Sequence, residues 1–173
     1  MLFIYDSMKK FTNKKNKKRE IYIILDDVRS NFNVGSIFRI ADCVGVTKIF
    51  LGGYTPSPLD KFGRENKEIK KVALGGETAV LYEKVFSVSR LVKSLKKKGF
   101  EIVSLEQADD SVDYKKFKPS QKIAIIVGNE VDGVSKKILK ISDKKIEIPM
   151  KGKKESLNVS VATAVALFRI LNV

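Results

Sequence analysis

The sequence predicts an α/β fold in which a largely parallel sheet is flanked by helices. From Ile21 onward, short apolar segments of strand length alternate with longer segments whose apolar residues recur at helical spacing. Such alternation is typical of βα units, which build parallel sheets. The chain has 173 residues, of which 43% are apolar, so it can bury one core. We therefore expect a single domain over residues 21–173.

Six apolar segments are predicted to be strands. They are residues 21–25, 48–51, 79–82, 100–105, 123–127 and 145–148. Residues 52–71 have no periodicity and contain several Gly and Pro, which predicts a loop. In α/β sheets, loops that follow the carboxyl ends of strands are where ligands bind.

Three segments are predicted to be helices. Residues 34–44 have apolar side chains at helical spacing, and residues 88–98 repeat the pattern with lysines facing outward, until Gly99 ends that helix. A third helix is expected from Asn158 to the last residue. The side chains that we expect it to bury are Val161, Ala162, Val165, Ala166 and Phe168. We expect Cys43, inside the first helix, to be a small core residue.

The charge of the chain favours a polyanionic partner. It has 34 Lys and Arg against 20 Asp and Glu, a net charge of +14. Basic residues that contact phosphates release counterions, so this surplus favours nucleic acid, although solvated lysines without a partner are the alternative. Residues 1–20 carry seven of the basic residues and two acidic ones, without apolar periodicity. This segment is predicted to be a flexible basic N-terminal arm.

The residue types that the chain lacks exclude several classes of site. It has no His, no Trp and one Cys, so Cys/His zinc sites, Ser-His-Asp triads and disulfide frameworks are excluded, and we expect no metal. No apolar run approaches the roughly 18 residues of a membrane span, and the apolar patch at residues 1–5 is too short for a signal peptide. We therefore expect a soluble cytoplasmic protein without a membrane partner.

Three polar segments with glycines follow predicted strands, and each is a candidate for chemistry. The first, residues 26–39, places Asn33 just before a helix and Arg39 inside it. Because Arg39 has apolar neighbours, we expect it to be partly buried, which usually requires an anionic or catalytic partner. Alternatively, Asn33 is a helix cap and Arg39 a solvated charge.

The other two segments lie in the second half of the chain. Residues 123–135 are a buried strand that breaks into a loop with Gly at both ends, where the backbone can approach a ligand closely. Residues 146–160 contain a strand, a turn with Pro149, a basic loop and a helix start, in which Ser156 or Asn158 is alternatively a plain cap. Neither Gly52-Gly53 nor Gly152-Lys153 fits a known phosphate-binding loop, which disfavours a generic nucleotide-binding protein.

Taken in order, these segments resemble the three motifs of the SpoU (TrmH-like) class of RNA ribose 2′-O-methyltransferases, in the SPOUT superfamily. Motif one is Asn33-x-Gly35-x-x-x-Arg39-x-Ala41-x-x-x-Gly45. Motif two is Val127-Gly128-Asn129-Glu130-x-x-Gly133-Val134-Ser135. Motif three is Ile148-Pro149-Met150-x-Gly152-x-x-x-Ser156-Leu157-Asn158-Val159-Ser160-Val161-Ala162. The resemblance covers about residues 20–173.

The resemblance implies a SPOUT-type fold with a C-terminal trefoil knot. It implies S-adenosylmethionine as the methyl donor, a ribose 2′-hydroxyl of tRNA or rRNA as the acceptor, and a homodimer with active sites near the subunit interface. A non-catalytic RNA-binding or assembly protein that kept the fold is the alternative. The presence of Arg39, Glu130, Ser156 and Asn158 together favours the enzyme.

The resemblance also implies roles for individual residues. Arg39 would orient the 2′-hydroxyl and the RNA phosphate, because a guanidinium stays protonated and is a poor base. The other implied catalytic positions, which position the ribose or hold the loops, are Asn33, Glu130, Ser156 and Asn158. The implied cofactor contacts are Leu105, Val127, Gly128, Asn129, Ile148, Met150, Ser156 and Leu157. The basic residues that we expect to contact RNA are Lys14, Lys15, Lys17, Lys18, Arg19, Arg29, Lys151, Lys153 and Lys154.

Overall fold

The computed structural model describes residues 19–173. Most of the predicted basic arm, with Lys14, Lys15, Lys17 and Lys18, lies outside the described residues. The strands are β1 (Glu20–Asp26), β2 (Lys48–Gly52), β3 (Leu81–Val85), β4 (Glu101–Leu105), β5 (Val112–Asp113), β6 (Lys122–Gly128) and β7 (Lys144–Glu147). They form one sheet in the order β3-β2-β1-β6-β4-β7-β5. Its strand pairs are all parallel, which confirms the predicted fold class.

Helices cover both faces of this sheet. They are α1 (Asn31–Val44), α2 (Lys67–Ala73), α3 (Gly76–Ala79), α4 (Val88–Lys97), α5 (Lys136–Ile141) and α6 (Val159–Leu171). Side chains alternate between the faces along a strand, so Ile23 of β1 packs in the cluster that contains α1 and α6. Ile24 packs in the cluster that contains α4 and α5. Because both faces are buried, the central strands are continuous apolar runs.

The short elements are the ones that the sequence pattern missed. Strand β3 begins at Leu81, two residues later than expected, because the preceding residues form α3. Helix α2 interrupts the predicted loop, and Asn66 caps it by accepting hydrogen bonds from the backbone N–H groups of Glu68 and Ile69. Helices of seven, four and six residues, α2, α3 and α5, carry too few turns to show a period.

The C-terminal helix buries a different face from the one expected. Val161 and Phe168 are 47% and 42% exposed, although we expected both to be buried. Ala166 is buried as predicted, and Ala162 and Val165 are half-buried. The buried stripe consists of Ser160, Thr163, Ala166, Leu167, Ile170 and Leu171. Apolar residues occur all around α6, so hydropathy alone could not choose the face that packs against α1.

Cys43 is exposed, so the prediction of a core cysteine is wrong. The buried face of α1 includes Ala41 and Val44. At about 100° per residue, Cys43 lies roughly 200° from Ala41 around the helix, on the solvent side. The trefoil knot stays a prediction.

Among residues 19–173, no helix is both long enough and apolar enough to cross a membrane.

Candidate active site

A cleft of about 580 Å³ opens at the carboxyl ends of β4, β6 and β7. Its walls are the segments that follow these three neighbouring strands and the start of α6. Clefts at this edge of an open parallel sheet are where α/β proteins bind ligands. The volume is in the range of sites for small molecules and cofactors.

The cleft brings together all eight residues that the resemblance implies for cofactor contacts. They are Leu105, Val127, Gly128, Asn129, Ile148, Met150, Ser156 and Leu157. Three of the implied catalytic residues, Glu130, Ser156 and Asn158, also line it. The apolar side chains and exposed backbone of this lining suit a flat neutral base.

The motif-two loop, residues 128–133, closes on itself. The backbone N–H groups of Asn129 and Gly133 donate to each other's carbonyl oxygens at 3.2 and 3.1 Å. The Asn129 side chain accepts hydrogen bonds from the backbone N–H groups of Val131 and Asp132 at 2.8 Å each. A Cβ atom on Gly128 would lie 1.9 Å from the Gly133 carbonyl carbon. Gly128 is therefore required for the closure of the loop itself, and close approach of its backbone to a ligand stays a prediction.

Glu106 joins this loop to β4, and it is a cleft residue that the sequence analysis missed. Its Oε2 atom accepts a hydrogen bond from the Val134 backbone N–H at 2.8 Å. Gln107 extends the connection, because its Nε2 atom donates to the Glu155 carbonyl at 2.7 Å. The signal for both residues is their position, directly after the predicted strand at residues 100–105.

A polar network connects the three motifs beside the cleft. Asn33 Nδ2 donates to Glu130 Oε1 at 2.7 Å. Asn158 Nδ2 donates to Asn33 Oδ1 at 3.0 Å. Asn33 is buried, so both polar ends of its side-chain amide are engaged away from bulk water. Asn33 therefore connects one residue of motif two, Glu130, with one residue of motif three, Asn158.

Two helices begin at this network. Ser30 caps α1 and accepts a hydrogen bond from the Asn33 backbone N–H at 3.3 Å, so Asn33 lies in the first turn and not before the helix as expected. Asn158 caps α6 by accepting from the backbone N–H of Ser160 at 2.9 Å. It is thus a helix cap and a member of the network at once. Ser156 is exposed at the cleft.

Glu130 holds the start of α1 through its carboxylate. Its oxygens accept hydrogen bonds from the backbone N–H groups of Arg29 and Ser30 at 3.2 Å each. Partial burial raises the pKa of the Glu130 carboxyl group, but the hydrogen bonds from Asn33 and from these backbone groups outweigh burial and lower the pKa overall. Glu130 is therefore ionised at neutral pH and is a poor proton acceptor.

We expect Glu130→Gln to lose a stabilisation that depends on pH. A lowered pKa in the folded state stabilises the protein above the ordinary glutamate pKa, and this contribution disappears as the pH falls through the folded-state value. Solvent screens this exposed carboxylate, so the difference in unfolding free energy is on the order of 0.5 kcal/mol at pH 7. Denaturant unfolding at pH 7, 5, 4 and 3 should show that the difference in unfolding free energy between the wild type and Glu130→Gln becomes smaller as the pH falls. Glu155→Gln is the control, and a difference independent of pH would contradict this assignment.

Arg39 is exposed and does not line the cleft, contrary to our expectation of a partly buried side chain. It lies six residues after Asn33 on α1, which is about 9 Å along the helix and about 120° around it. Because Asn33 faces the network, Arg39 faces away from it. Apolar neighbours in the sequence did not indicate burial, since adjacent helical residues point in different directions.

The predicted RNA contacts within the described residues lie in three places. Lys151, Lys153 and Lys154 are exposed, in the segment between the cleft residues Met150 and Glu155. Arg29 is exposed next to Glu130. Arg19 precedes β1 and therefore lies at the opposite edge of the sheet from the cleft.

Comparisons with known proteins agree with this geometry. Residues 20–168 match the SpoU rRNA Methylase family. The chain is 33% identical over 154 residues to the tRNA (guanosine(18)-2′-O)-methyltransferase of Aquifex aeolicus (strain VF5), a match that covers 89% of this chain and 70% of that protein. It is 33% identical over 146 residues to the 23S rRNA (guanosine-2′-O-)-methyltransferase RlmB of Escherichia coli (strain K12), covering 84% of this chain and 57% of that protein.

A solved structure with the same architecture is the AdoMet-bound rRNA methyltransferase from Sinorhizobium meliloti. It is 27% identical, with a TM-score of 0.81, and the match covers 90% of this chain and 57% of that one. The chain thus spans little more than half the length of some relatives and 70% of another. Since the match over residues 20–168 includes all three motifs and the walls of the cleft, the chain belongs to the SpoU rRNA methylase family.

Proposed function

We propose that the protein transfers a methyl group from S-adenosylmethionine to a ribose 2′-hydroxyl of tRNA or rRNA. The observation that carries this proposal is the cleft, which collects every implied cofactor residue beside the network of Asn33, Glu130 and Asn158. The relatives are named as guanosine 2′-O-methyltransferases of tRNA and of 23S rRNA. Because these RNAs are cytoplasmic in cells such as those of the relatives, the same proposal places the protein in the cytoplasm.

The lining of the cleft fits S-adenosylmethionine. Ile148, Met150 and Leu157 offer apolar surface for an adenine ring, and the backbone around Gly128 offers hydrogen-bonding groups to its edge. When bound, the cofactor supplies a methyl group on a positively charged sulfur. The protein's task is to hold the ribose oxygen in line behind that methyl group.

Some polar residues of the site hold segments of the protein in place, and one orients the RNA substrate. Glu130 is ionised and engaged by three N–H groups, so it holds the motif-one turn and does not accept the ribose proton. Ser156 is exposed in the cleft, where its hydroxyl can orient the ribose or its phosphate. Asn33 and Asn158 keep the motif-one and motif-three segments at a fixed separation.

A homodimer explains why Arg39 faces away from the cleft of its own chain. Helices α1 and α6 pack side by side, and α6 carries the exposed apolar residues Val161 and Phe168. A second copy that covers these residues would hide apolar surface. In the same arrangement, Arg39 of each chain serves the cleft of the other, where it orients the ribose hydroxyl and the adjacent phosphate.

Cofactor titration tests the cleft. We expect S-adenosylmethionine to bind with a micromolar Kd, about 8 kcal/mol. Leu157→Asp should weaken binding at least tenfold, because it places a charge on apolar cleft surface. The matched control is Leu74→Asp, an exposed residue outside the cleft with a φ of 51°, which Asp tolerates. Calorimetry that detects no binding at millimolar cofactor would refute the assignment.

Deletion of residues 9–18 tests the basic arm. If its six lysines bind phosphates, the deletion weakens RNA binding. The slope of log affinity against log salt should also become shallower, by about 0.7 to 0.9 for each phosphate that the arm neutralises. Cofactor affinity should not change. Measuring RNA binding over a range of salt concentrations checks this, and an unaltered slope would show that the arm neutralises no phosphates.

A further inference from the structure

The edge of the sheet that carries the cleft continues across three more strands. Gly128 of β6 pairs with Asp26 of β1, Asp26 pairs with Gly52 of β2, and Gly52 pairs with Val85 of β3. The last residues of these four strands are therefore in register at one edge of the sheet. At about 4.8 Å between neighbouring strands, the edge extends about 14 Å from β6 to β3.

Two aromatic side chains project from the far part of this edge. Tyr54 follows β2 and is 83% exposed, and Phe86 follows β3 and is 95% exposed. Their backbones are tied together, since the Gly53 N–H donates to the Val85 carbonyl at 3.0 Å. Aromatic residues this exposed on a fixed backbone indicate a binding surface more than a packing role.

The turn that follows β1 contacts the backbone of Tyr54 and has an unusual conformation. Asp27 has a φ of 60°, in the left-handed region that non-glycine residues rarely adopt. Its Oδ1 atom accepts a hydrogen bond from the Tyr54 N–H at 2.7 Å. Gly53 has a φ of 55°, and a Cβ atom on it would lie 2.1 Å from the same oxygen, so a larger residue would displace the Asp27 carboxylate. The Asp27 carboxylate and the adjacent glycine hold Tyr54 at the end of its strand.

Exposed cations lie near this row. Arg29 follows β1, between the cleft and Tyr54, and its backbone N–H donates to Glu130 at the cleft wall. Arg90 lies in the first turn of α4, four residues after Phe86. Both arginine side chains are exposed. The order along the edge is cleft, cation, aromatic and aromatic.

We infer that Arg29, Tyr54 and Phe86 form a track for unpaired RNA nucleotides that flank the methylated one. Aromatic side chains stack on bases of any sequence, and a cation between them and the cleft contacts the phosphate that joins the flanking nucleotides to the target. Stacked nucleotides rise about 3.4 Å each, so about 14 Å of edge accommodates about four of them. Bases in a duplex are already stacked on their neighbours, so they cannot stack on Tyr54 and Phe86, and the track is specific for unpaired nucleotides.

This inference rests on the proposed function and adds the surface that binds the nucleotides beside the target ribose. A second copy of the chain is the competing occupant of the aromatic row. The apolar surface that we assign to the contact with a second copy, however, lies on α6 and not on the aromatic row. Exposed aromatic side chains with a cation between them and the cleft match a nucleic acid strand better than an apolar interface.

Tryptophan substitution gives a direct readout, because the chain contains no Trp. In Phe86→Trp and in Tyr54→Trp, the new indole is the only one, and base stacking should quench its fluorescence. The probe is an unstructured RNA of about ten nucleotides, within the range of single-strand sites. We expect quenching with this RNA and little with a duplex of equal length. Equal quenching by the duplex, or none by either RNA, would overturn the track.

Alanine variants measure the contribution to affinity. Tyr54→Ala and Phe86→Ala should each weaken binding of the same RNA about five- to a hundredfold, with cofactor affinity unchanged. Leu81→Ala is the matched control, because Leu81 is exposed at the other end of β3. Wild-type RNA affinity in both variants would overturn the track. So would a change in sedimentation behaviour without a change in RNA affinity, since a second copy would then occupy the row.

Methylation by the wild-type protein is measured separately, so the two proposals fail independently. If the wild type methylates RNA but the alanine variants bind it normally, the track alone is overturned. If the alanine variants lose RNA affinity but the wild type transfers no methyl group, the row is supported as an RNA surface and the proposed function fails.

Discussion

Replacing Arg39 with Ala is expected to slow methyl transfer about 10²- to 10⁴-fold while cofactor affinity stays the same. The guanidinium is proposed to orient the ribose hydroxyl and its phosphate in the transition state, not to bind the cofactor. Arg39→Lys should be nearly as slow, because an ammonium cannot reproduce the planar fork of donors. Single-turnover rates at saturating enzyme and cofactor measure the effect, since they exclude binding and product release.

Mixing two variants, at a cofactor concentration too low to fill the cleft of Leu157→Asp, tests whether Arg39 serves the partner's cleft. In a dimer of Arg39→Ala with Leu157→Asp, one site combines an intact cleft with the intact Arg39 of the other chain. Random mixing in equal amounts should therefore restore about a quarter of the wild-type activity. No restoration would place Arg39 in its own chain's reaction. A loss of less than about threefold for Arg39→Ala alone would remove it from the chemistry and leave Ser156 as the orienting group.

Replacing Gly128 with Ala should damage both folding and cofactor binding. The added methyl group would lie 1.9 Å from the Gly133 carbonyl carbon and 2.1 Å from the Val134 nitrogen, so the motif-two loop must move. We expect a loss of unfolding free energy of about 1 to 3 kcal/mol and a cofactor affinity at least tenfold weaker, because the loop is a wall of the cleft. Denaturant unfolding and calorimetry measure the two effects.

Gly152→Ala is the matched control for Gly128→Ala. A Cβ atom on Gly152 meets no other heavy atom within 4 Å, and Gly152 is not among the glycines with positive φ. We expect its stability to stay within about 0.5 kcal/mol of the wild type. A Gly128→Ala protein as stable as the control would show that the loop is loosely packed, contrary to its hydrogen bonds.

The central strands could be predicted because both faces of the sheet are covered. Burial on two sides makes β1 and β6 continuous apolar runs, which a sequence pattern detects. Helix α3 has four residues, and its position depends on the close packing of Gly76 against Phe38. That contact joins distant parts of the chain, so no local pattern contains it.

The candidate site, too, could be predicted from the sequence only in part. The motifs predicted the cleft residues, because a loop after a strand keeps its place at the edge of the sheet. The hydrogen bond between Asn33 and Glu130 joins residues that are 97 positions apart, and only the folded chain shows it. The direction of Arg39 follows from the buried face of α1, which includes Ile37, Phe38 and Ala41, and its immediate neighbours in the sequence do not indicate it.

Nucleoside mass spectrometry of methyl-labelled RNA tests the central proposal most directly. The substrate is tRNA and rRNA from cells that lack the gene, incubated with the purified protein and S-adenosylmethionine carrying a labelled methyl group. We predict that the label appears in a 2′-O-methylnucleoside at a defined position, and that Arg39→Ala slows this incorporation about 10²- to 10⁴-fold. Label on a base, or no incorporation into either RNA by a protein that binds the cofactor, would contradict the proposed function.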